Sequence, residues 1–221
     1  MVHGGGWRRG EADAANVVAN KVAYWNPEGY AVVSVSYRLG VDSTPPIDPY
    51  TQAQDVAAAF AFLRANGKPY GIDPARIVRM GHSAGAHLVM LVCTHPALAK
   101  IAGPHAGSVS LDSAALDVVK IMGNPRHDAL YTAAFGTDPA YWQQCSPLAQ
   151  MTARMPPVLL VYSSQRGPAN RDSTNDFAAK ARSLGTSATV LAEDLSHGEI
   201  NSTLGLPGAY TEAVDGFVRG L

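Results

Sequence analysis

The order of apolar and polar residues along the chain alternates between segments typical of strands and segments typical of helices. Residues 30–37 are rich in β-branched and aromatic side chains, and Val158–Ser163 forms a second, strongly apolar run. Shorter strands are predicted at 76–80, 108–111 and 188–192. Strands that alternate with helices predict an α/β protein with a mainly parallel sheet flanked by helices.

Four helices are predicted around these strands. Residues 51–66 are alanine-rich with apolar positions at helical spacing, and Gly67 ends the pattern. The other predicted helices are Ala84–Thr94, 172–184 and 207–221. Residues 124–150 show no regular pattern, and long connections of this kind are usually functional or mobile. We therefore predict an insertion at 124–150 that covers a pocket, with plain surface packing as the alternative.

Composition narrows the class of protein. The 221 residues are 47% hydrophobic and 16% charged, which predicts one domain spanning 1–221. The net charge of −1 and the mixed signs favour a small neutral partner over nucleic acid or a membrane surface. Two cysteines without metal-ligand spacing predict no metal site. No apolar run is long enough to span a bilayer and no signal-peptide pattern is present, so we expect a cytoplasmic protein.

The segment Gly81-His82-Ser83-Ala84-Gly85 fits the pattern G-x-S-x-G, and it lies between a predicted strand and a predicted helix. That context is required of a nucleophile elbow, in which a strained turn exposes the serine hydroxyl at the carboxyl edge of the sheet. The following helix directs its N-terminus at the site, so the Ala84 N–H can donate to a developing oxyanion. Ser83 is the predicted nucleophile.

A second motif, His3-Gly4-Gly5-Gly6-Trp7, lies near the N-terminus. Successive glycines let the backbone turn its N–H groups toward a bound carbonyl oxygen, which is typical of an oxyanion hole. A flexible terminal loop is the alternative interpretation, and the serine elbow makes it the weaker one.

Together these two motifs resemble the hormone-sensitive-lipase-like and feruloyl-esterase-like carboxylesterases of the α/β-hydrolase superfamily. The likeness extends to Tyr37-Arg38-Leu39, Gln54-Asp55-Val56 and Tyr70-Gly71-Ile72-Asp73-Pro74. It implies an α/β-hydrolase fold, Ser83 as nucleophile, the N–H groups of Gly5, Gly6 and Ala84 as an oxyanion hole, and no metal or organic cofactor.

The order of a catalytic triad in this fold is serine, acid, histidine, which places the base after the last strand. His197 lies there and is the predicted base. Similar enzymes place the acid in the loop after the strand at 158–163, yet Arg166 stands at about that position. The first carboxylate of the loop is Asp172, which we predict as the acid, although a helix N-cap is its other natural role. Asp194 is the second candidate.

The predicted function is a serine carboxylesterase that hydrolyses small to medium acyl or aryl esters through an acyl-enzyme. Trp7, Trp142 and the elbow residue His82 are the predicted substrate contacts, with Tyr131 and Phe135 adding to an apolar wall. An arylformamidase-type amide hydrolase is the alternative within enzymes. A non-catalytic binding protein that keeps only the fold is the alternative outside them.

Only Met1 and Val2 precede the glycine motif, whereas the fold normally supplies strands before it. We therefore expect the N-terminal strands to be truncated in this sequence. An exposed sheet edge can pair with another chain, so a homo-oligomer is also expected.

Overall fold

A computed structural model describes residues 1–40 and 44–221. Its four-stranded sheet is parallel throughout, in the order β1-β2-β3-β4. The strands are β1 (Val78–His82), β2 (Gly107–Leu111), β3 (Val158–Ser163) and β4 (Ala188–Glu193). The predicted strands are confirmed at these four places, with ends that differ by two residues at most. Because all four run the same way, their carboxyl ends share one edge of the sheet.

Helices cover both faces of this sheet. The longer ones are α1 (Ala15–Trp25), α2 (Pro49–Asn66), α3 (Ala84–Thr94), α9 (Pro168–Ser183) and α11 (Ala209–Arg219), and the shorter ones α4 (Pro96–Ala102) and α10 (His197–Ser202). The sequence pattern did not predict α1 and α4. Helix α2 begins before residue 51 because the Asp48 side chain accepts the Thr51 N–H at 2.7 Å and Pro49 suits a first turn.

The segment 124–150 is not irregular, so that part of the prediction is wrong. It forms three short helices, α6 (Ala129–Phe135), α7 (Pro139–Cys145) and α8 (Pro147–Gln150), and a fourth, α5 (Val118–Met122), precedes it. Each begins after a residue whose side chain accepts a backbone N–H of the first turn, namely Asp117, Asp128, Asp138 and Ser146. The capping residues were visible in the sequence, but helices of one or two turns carry too little periodicity to detect.

The predicted strand at 30–37 is extended but pairs only at Val35, which bridges to Val2. Val2 also bridges to Gly81, so it connects this segment to β1. The Met1 ammonium donates to the Val33 carbonyl at 2.6 Å, and the Val35 N–H donates to the Met1 carbonyl at 2.9 Å. A continuous ladder needs a partner residue at every step, and here the neighbouring segment supplies Met1 and Val2.

Alternate residues of β3 enter two hydrophobic clusters on opposite faces of the sheet. Val158 and Leu160 pack with the cluster of α3 and α9, whereas Leu159 and Val161 pack with that of α10 and α11. A strand buried on both faces reads as a continuous apolar run, as this one does.

Within the described residues, no single helix is long and apolar enough to cross a membrane. Helices α3 and α4 together have the required length and composition, but they meet at 94°, and all of α3 is buried.

Candidate active site

Ser83 occupies the turn between β1 and α3 with φ of 56° and ψ of −121°, an unfavourable conformation for a residue with a side chain. The turn is tight on both sides of the serine. A Cβ at Gly85 would lie 2.3 Å from the carbonyl oxygens of Val2 and His3, and one at Gly81 would lie 2.3 Å from the Gly85 carbonyl. Glycine is therefore required at both positions, which explains the spacing of the motif.

His197 begins α10, just beyond the carboxyl end of β4. Its Nε2 lies 2.9 Å from the Ser83 Oγ, and its Nδ1 lies 2.5 Å from Oδ2 of Asp112. With the carboxylate accepting at Nδ1, the proton is on that nitrogen and Nε2 is free to accept from the serine hydroxyl. The predicted serine and histidine are thus brought together, in the tautomer that a general base needs.

The prediction that Asp172 contacts His197 is wrong, and so is the second choice, Asp194. Asp172 lies in α9 with its side chain 48% exposed and its carboxylate paired with Arg171 at 3.0 Å. Asp194 is exposed, and its carboxylate accepts from Gln165 at 3.2 Å. The residue at His197 is Asp112, which directly follows β2. The signal for it was a carboxylate at the end of the strand next to the elbow, where parallel strand ends converge.

Asp112 is fully buried and its carboxylate accepts hydrogen bonds at both oxygens. Oδ1 accepts the Ser163 N–H at 3.0 Å and the Asn170 amide at 2.6 Å. Oδ2 accepts from His197 and, at 3.1 Å, from an Nη of Arg166.

These contacts decide the charge of the carboxyl group. Burial alone would raise the pKa of Asp112, but the hydrogen bonds from His197 and the Ser163 N–H outweigh it, helped by Arg166 and Asn170. The pKa of Asp112 is therefore held well below its usual range, and the group is a carboxylate at any pH at which the protein would work.

The glycine loop, defined as residues 3–7, lies against the elbow. A Cβ at Gly4 would lie 2.9 Å from the Ser83 Cβ, and the loop and Ala84 both border the cavity at Ser83. Gly5 has φ of 121°, and a Cβ there would overlap the Arg9 carbonyl at 1.8 Å. Ala84 is the first residue of α3, so its N–H has no acceptor within the helix. The loop, Ala84 and Ser83 therefore meet at one point.

The loop is held from below by buried neutral groups. The Trp7 Nε1–H donates to Nδ1 of His87 at 3.1 Å, and His87 in turn donates from Nε2 to the Cys145 carbonyl at 2.8 Å. The Gln52 amide donates to the Trp7 carbonyl at 2.7 Å, and the Tyr37 hydroxyl donates to the His3 carbonyl at 3.0 Å. Sequence reasoning did not single out Gln52 and gave His87 no role.

The predicted substrate contacts fall in three different places. Trp7 borders the cavity but is only 3% exposed, and its ring packs against Phe135 and His87, so it anchors the loop. Trp142 is not among the residues that border the cavity, because it packs on the core and donates to the Gly136 carbonyl at 3.3 Å. His82 does border it, with its ring 4.6 Å from that of His197.

His82 also holds the backbone of His197. Its Nε2 lies 2.8 Å from the His197 carbonyl, and burial lowers the pKa of His82 to about 4, so it is neutral near pH 7. It can then donate to that carbonyl and fix the start of α10 under the base.

The cavity above Ser83 has a volume of about 780 Å³. The serine, the histidine, Asp112 and the glycine loop form one part of its wall, and Leu130 and Tyr131 of α6 form another. The segment 124–150 thus contributes two residues to the pocket, while Phe135 and Cys145 are buried in the core. Across residues 1–40 and 44–221, no three or more His, Cys, Asp or Glu side chains are grouped so as to hold a metal ion.

A parallel sheet with helices on both faces, a strained serine after one strand and a histidine after the last define an α/β-hydrolase. Residues 1–180 match the family model BD-FAE, and the chain belongs to that family.

Known proteins agree with this assignment. The chain is 26% identical over 178 residues to Esterase LipQ of Mycobacterium tuberculosis (strain ATCC 25618 / H37Rv), covering 75% of this chain and 41% of that protein. It is 38% identical over 90 residues to Lipase 2 of Moraxella sp. (strain TA144), covering 41% and 19%. The chain thus spans less than half the length of these two relatives.

Among solved structures, esterase 2 of Thermogutta terrifontis phosphoramylated by tabun superposes with a TM-score of 0.78 at 21% identity, covering 99% of this chain and 81% of the other. Carboxyl esterase 2 of Tuber melanosporum superposes with a TM-score of 0.76 at 21% identity, covering 99% and 75%. At this identity, the likeness shows the α/β-hydrolase fold.

Proposed function

We propose that the protein is a serine carboxylesterase with Ser83 as nucleophile, His197 as general base and Asp112 as the acid of the triad. The observation that carries the proposal is the unbroken series of contacts from the Ser83 Oγ through the imidazole to a buried carboxylate, 2.9 Å and 2.5 Å long. The chain belongs to the BD-FAE family and is similar to an esterase and a lipase, which supports ester hydrolysis as the reaction.

In the first half-reaction the Ser83 oxygen attacks the ester carbonyl carbon and its proton passes to Nε2 of His197. The carbonyl oxygen becomes an oxyanion, for which the N–H groups of Gly5, Gly6 and Ala84 are the proposed donors. Collapse breaks the bond to the alcohol oxygen, which takes the proton from His197 and leaves an acyl-enzyme.

In the second half-reaction a water gives a proton to His197 and its oxygen attacks the acyl carbon. Collapse of the second oxyanion breaks the bond to the Ser83 oxygen, which recovers the proton, and the acid is released. Throughout both halves Asp112 stays ionised and faces the imidazolium when it forms. The protein supplies every proton-transfer group that this sequence of steps uses.

The cavity favours small to medium acyl or aryl esters. Leu130 and Tyr131 give the wall of the cavity an apolar and an aromatic surface, and the volume of about 780 Å³ suits a ligand of modest size. Trp7 supports the pocket from within the core, so we assign it a structural part rather than a contact with the acyl group.

The test is Ser83→Ala, which we expect to lose activity on p-nitrophenyl acetate and butyrate by about three orders of magnitude or more. A fluorophosphonate probe, which reacts covalently with an activated serine, should label the wild type and leave Ser83→Ala unlabelled. Ser183→Ala is the matched control, because within residues 1–40 and 44–221 that hydroxyl bonds only to the Lys180 carbonyl at the end of α9. This variant should behave as wild type. Full hydrolysis by Ser83→Ala would refute the mechanism, and an unlabelled wild type would favour a binding protein.

The other predictions made from the sequence extend this proposal. A comparison of N-formylkynurenine with simple esters decides between an amide hydrolase and an esterase. We further propose a small-molecule ester as the partner, a cytoplasmic location and no need for a metal or organic cofactor. Activity after dialysis against a chelator, cell fractionation and light scattering test the cofactor, the location and the expected homo-oligomer.

A further inference from the structure

Arg166 lies just beyond the carboxyl end of β3, and one of its Nη atoms contacts both Asp112 and His197. That atom is 3.1 Å from Oδ2 and 3.3 Å from the carbonyl oxygen of Asp112, and 3.4 Å from Nδ1 of His197. Since Nδ1 already carries the proton that Oδ2 accepts, the Nη group donates to the carboxylate and the backbone carbonyl of Asp112 and not to the imidazole. The approach to the imidazole is a contact between a fixed positive charge and the ring.

We propose that Arg166 is a positioning residue for the acid–base pair: its guanidinium holds the Asp112 carboxylate in place against His197. This inference rests on the proposed function for its kinetic consequence. The geometry on which it stands does not depend on the substrate.

The positioning role of Arg166 follows from how the Asp112 carboxylate is held. Ser163 and Asn170 fix Oδ1, whereas only His197 and Arg166 contact Oδ2 among the described residues. Without the guanidinium, Oδ2 would have the imidazole as its one partner, and a fully buried negative charge would lose its fixed counter-charge. The carboxylate would then have more freedom to turn away from Nδ1, and the base would lose orientation.

The experiment compares Arg166→Met, which keeps the length without the charge, with Arg166→Lys, which keeps the charge without the fork. The side chain is 31% exposed, so the methionine replaces a partly solvated group. For Arg166→Met we expect kcat to fall about tenfold or more and KM to change by less than about twofold, because the base loses its orientation while the binding of the ester does not depend on that orientation. Arg166→Lys, whose ammonium can still donate to Oδ2, should recover part of kcat.

The matched control is Arg171→Met, which removes an exposed arginine of α9 paired with Asp172. It should leave kcat and KM as in wild type. A kcat of Arg166→Met equal to that of wild type, or a rise in KM alone for esters with a carboxylate in the acyl group, would overturn the proposal.

A readout that does not need turnover separates this inference from the proposed function. The Nδ1–H proton of His197, followed by NMR in the full-length protein, should give a low-field signal in wild type that weakens in Arg166→Met, because the carboxylate that accepts this proton is held less firmly. A wild type that hydrolyses no ester would refute the proposed function while this signal still tests Arg166. An active wild type with an unchanged signal in Arg166→Met would refute the role of Arg166 alone.

Discussion

The two sides of Ser83 are held by different kinds of interaction. On one side, Asp112 with its donors forms a charged network around His197 at the ends of β2 and β3. On the other side, the glycine loop is fixed by neutral groups buried in the core, chiefly Gln52 and His87. The charged side is partly open to solvent at His197, whose side chain is 39% exposed, whereas His87 is completely buried.

This difference separates chemistry from folding. A change on the charged side alters the energy of the imidazolium, which exists only during the reaction, so it should act on turnover. A change on the neutral side breaks hydrogen bonds that exist in the resting protein, so it should act first on the free energy of unfolding. Substitutions on each side test whether the two effects can be separated.

The largest effect is expected for Asp112→Asn. The amide can present its NH₂ to the imidazole and favour the wrong tautomer, so kcat should fall by about 10³ to 10⁴ with little change in KM. The measurement is steady-state hydrolysis of p-nitrophenyl butyrate. Asp172→Asn is the matched control and should stay within about twofold of wild type. Equal losses in the two variants would contradict the assignment of the acid.

On the neutral side, the next effect is a pH dependence of stability that comes from His87. Burial lowers the pKa of His87 to about 4 from an ordinary value of 6.5. Between pH 6.5 and 4, His87 is therefore protonated in the unfolded chain and neutral in the folded chain. As a result, the free energy of unfolding decreases as pH falls from 6.5 toward 4. The shift corresponds to roughly 3 kcal/mol in the free energy of unfolding.

His87→Gln tests this by difference. The variant should be less stable than wild type at pH 8, and the gap between the two should narrow as pH falls through the window from 6.5 to 4, as measured by urea denaturation. A gap that stays constant with pH would show that His87 is not buried as a neutral group.

The smallest effect is expected for Gln52→Leu, which removes the donor to the Trp7 carbonyl. A buried carbonyl that loses its partner destabilises a protein by about 1–3 kcal/mol. The Gln52 Oε1 has no partner among the described residues, and its removal offsets part of that loss. We expect a loss of about 1 kcal/mol by urea denaturation and a fall of a few-fold in kcat. Gln143→Leu, at an exposed position of α7, is the control, and a kcat loss without loss of stability would contradict the comparison.

The sequence predicted the parts of this site that depend on local pattern. Ser83 lies in a turn that requires glycine at both ends of a five-residue motif. The strand before it and the helix after it have clear patterns of apolar residues. His197 followed from its place after the last strand. The fold class followed from the alternation of strands and helices, because a parallel sheet requires crossovers.

Asp112 was missed because its signal is spatial. It follows the weakly patterned strand β2, and it approaches His197 only because parallel strands place their ends at one edge. The loop after β3, where the acid was predicted, instead supplies Arg166, which donates to the acid. Trp7 was assigned to the substrate wall for a similar reason, since the sequence does not show that its ring turns toward His87 and the core.

The close contact between the elbow and the glycine loop has a consequence for engineering of the pocket. A Cβ at Gly85 would lie 2.3 Å from the carbonyl oxygens of Val2 and His3, and one at Gly4 would lie 2.9 Å from the Ser83 Cβ. A library of variants designed to change the accepted acyl group should therefore keep both glycines. It should vary Leu130 and Tyr131 instead, which border the same cavity from α6.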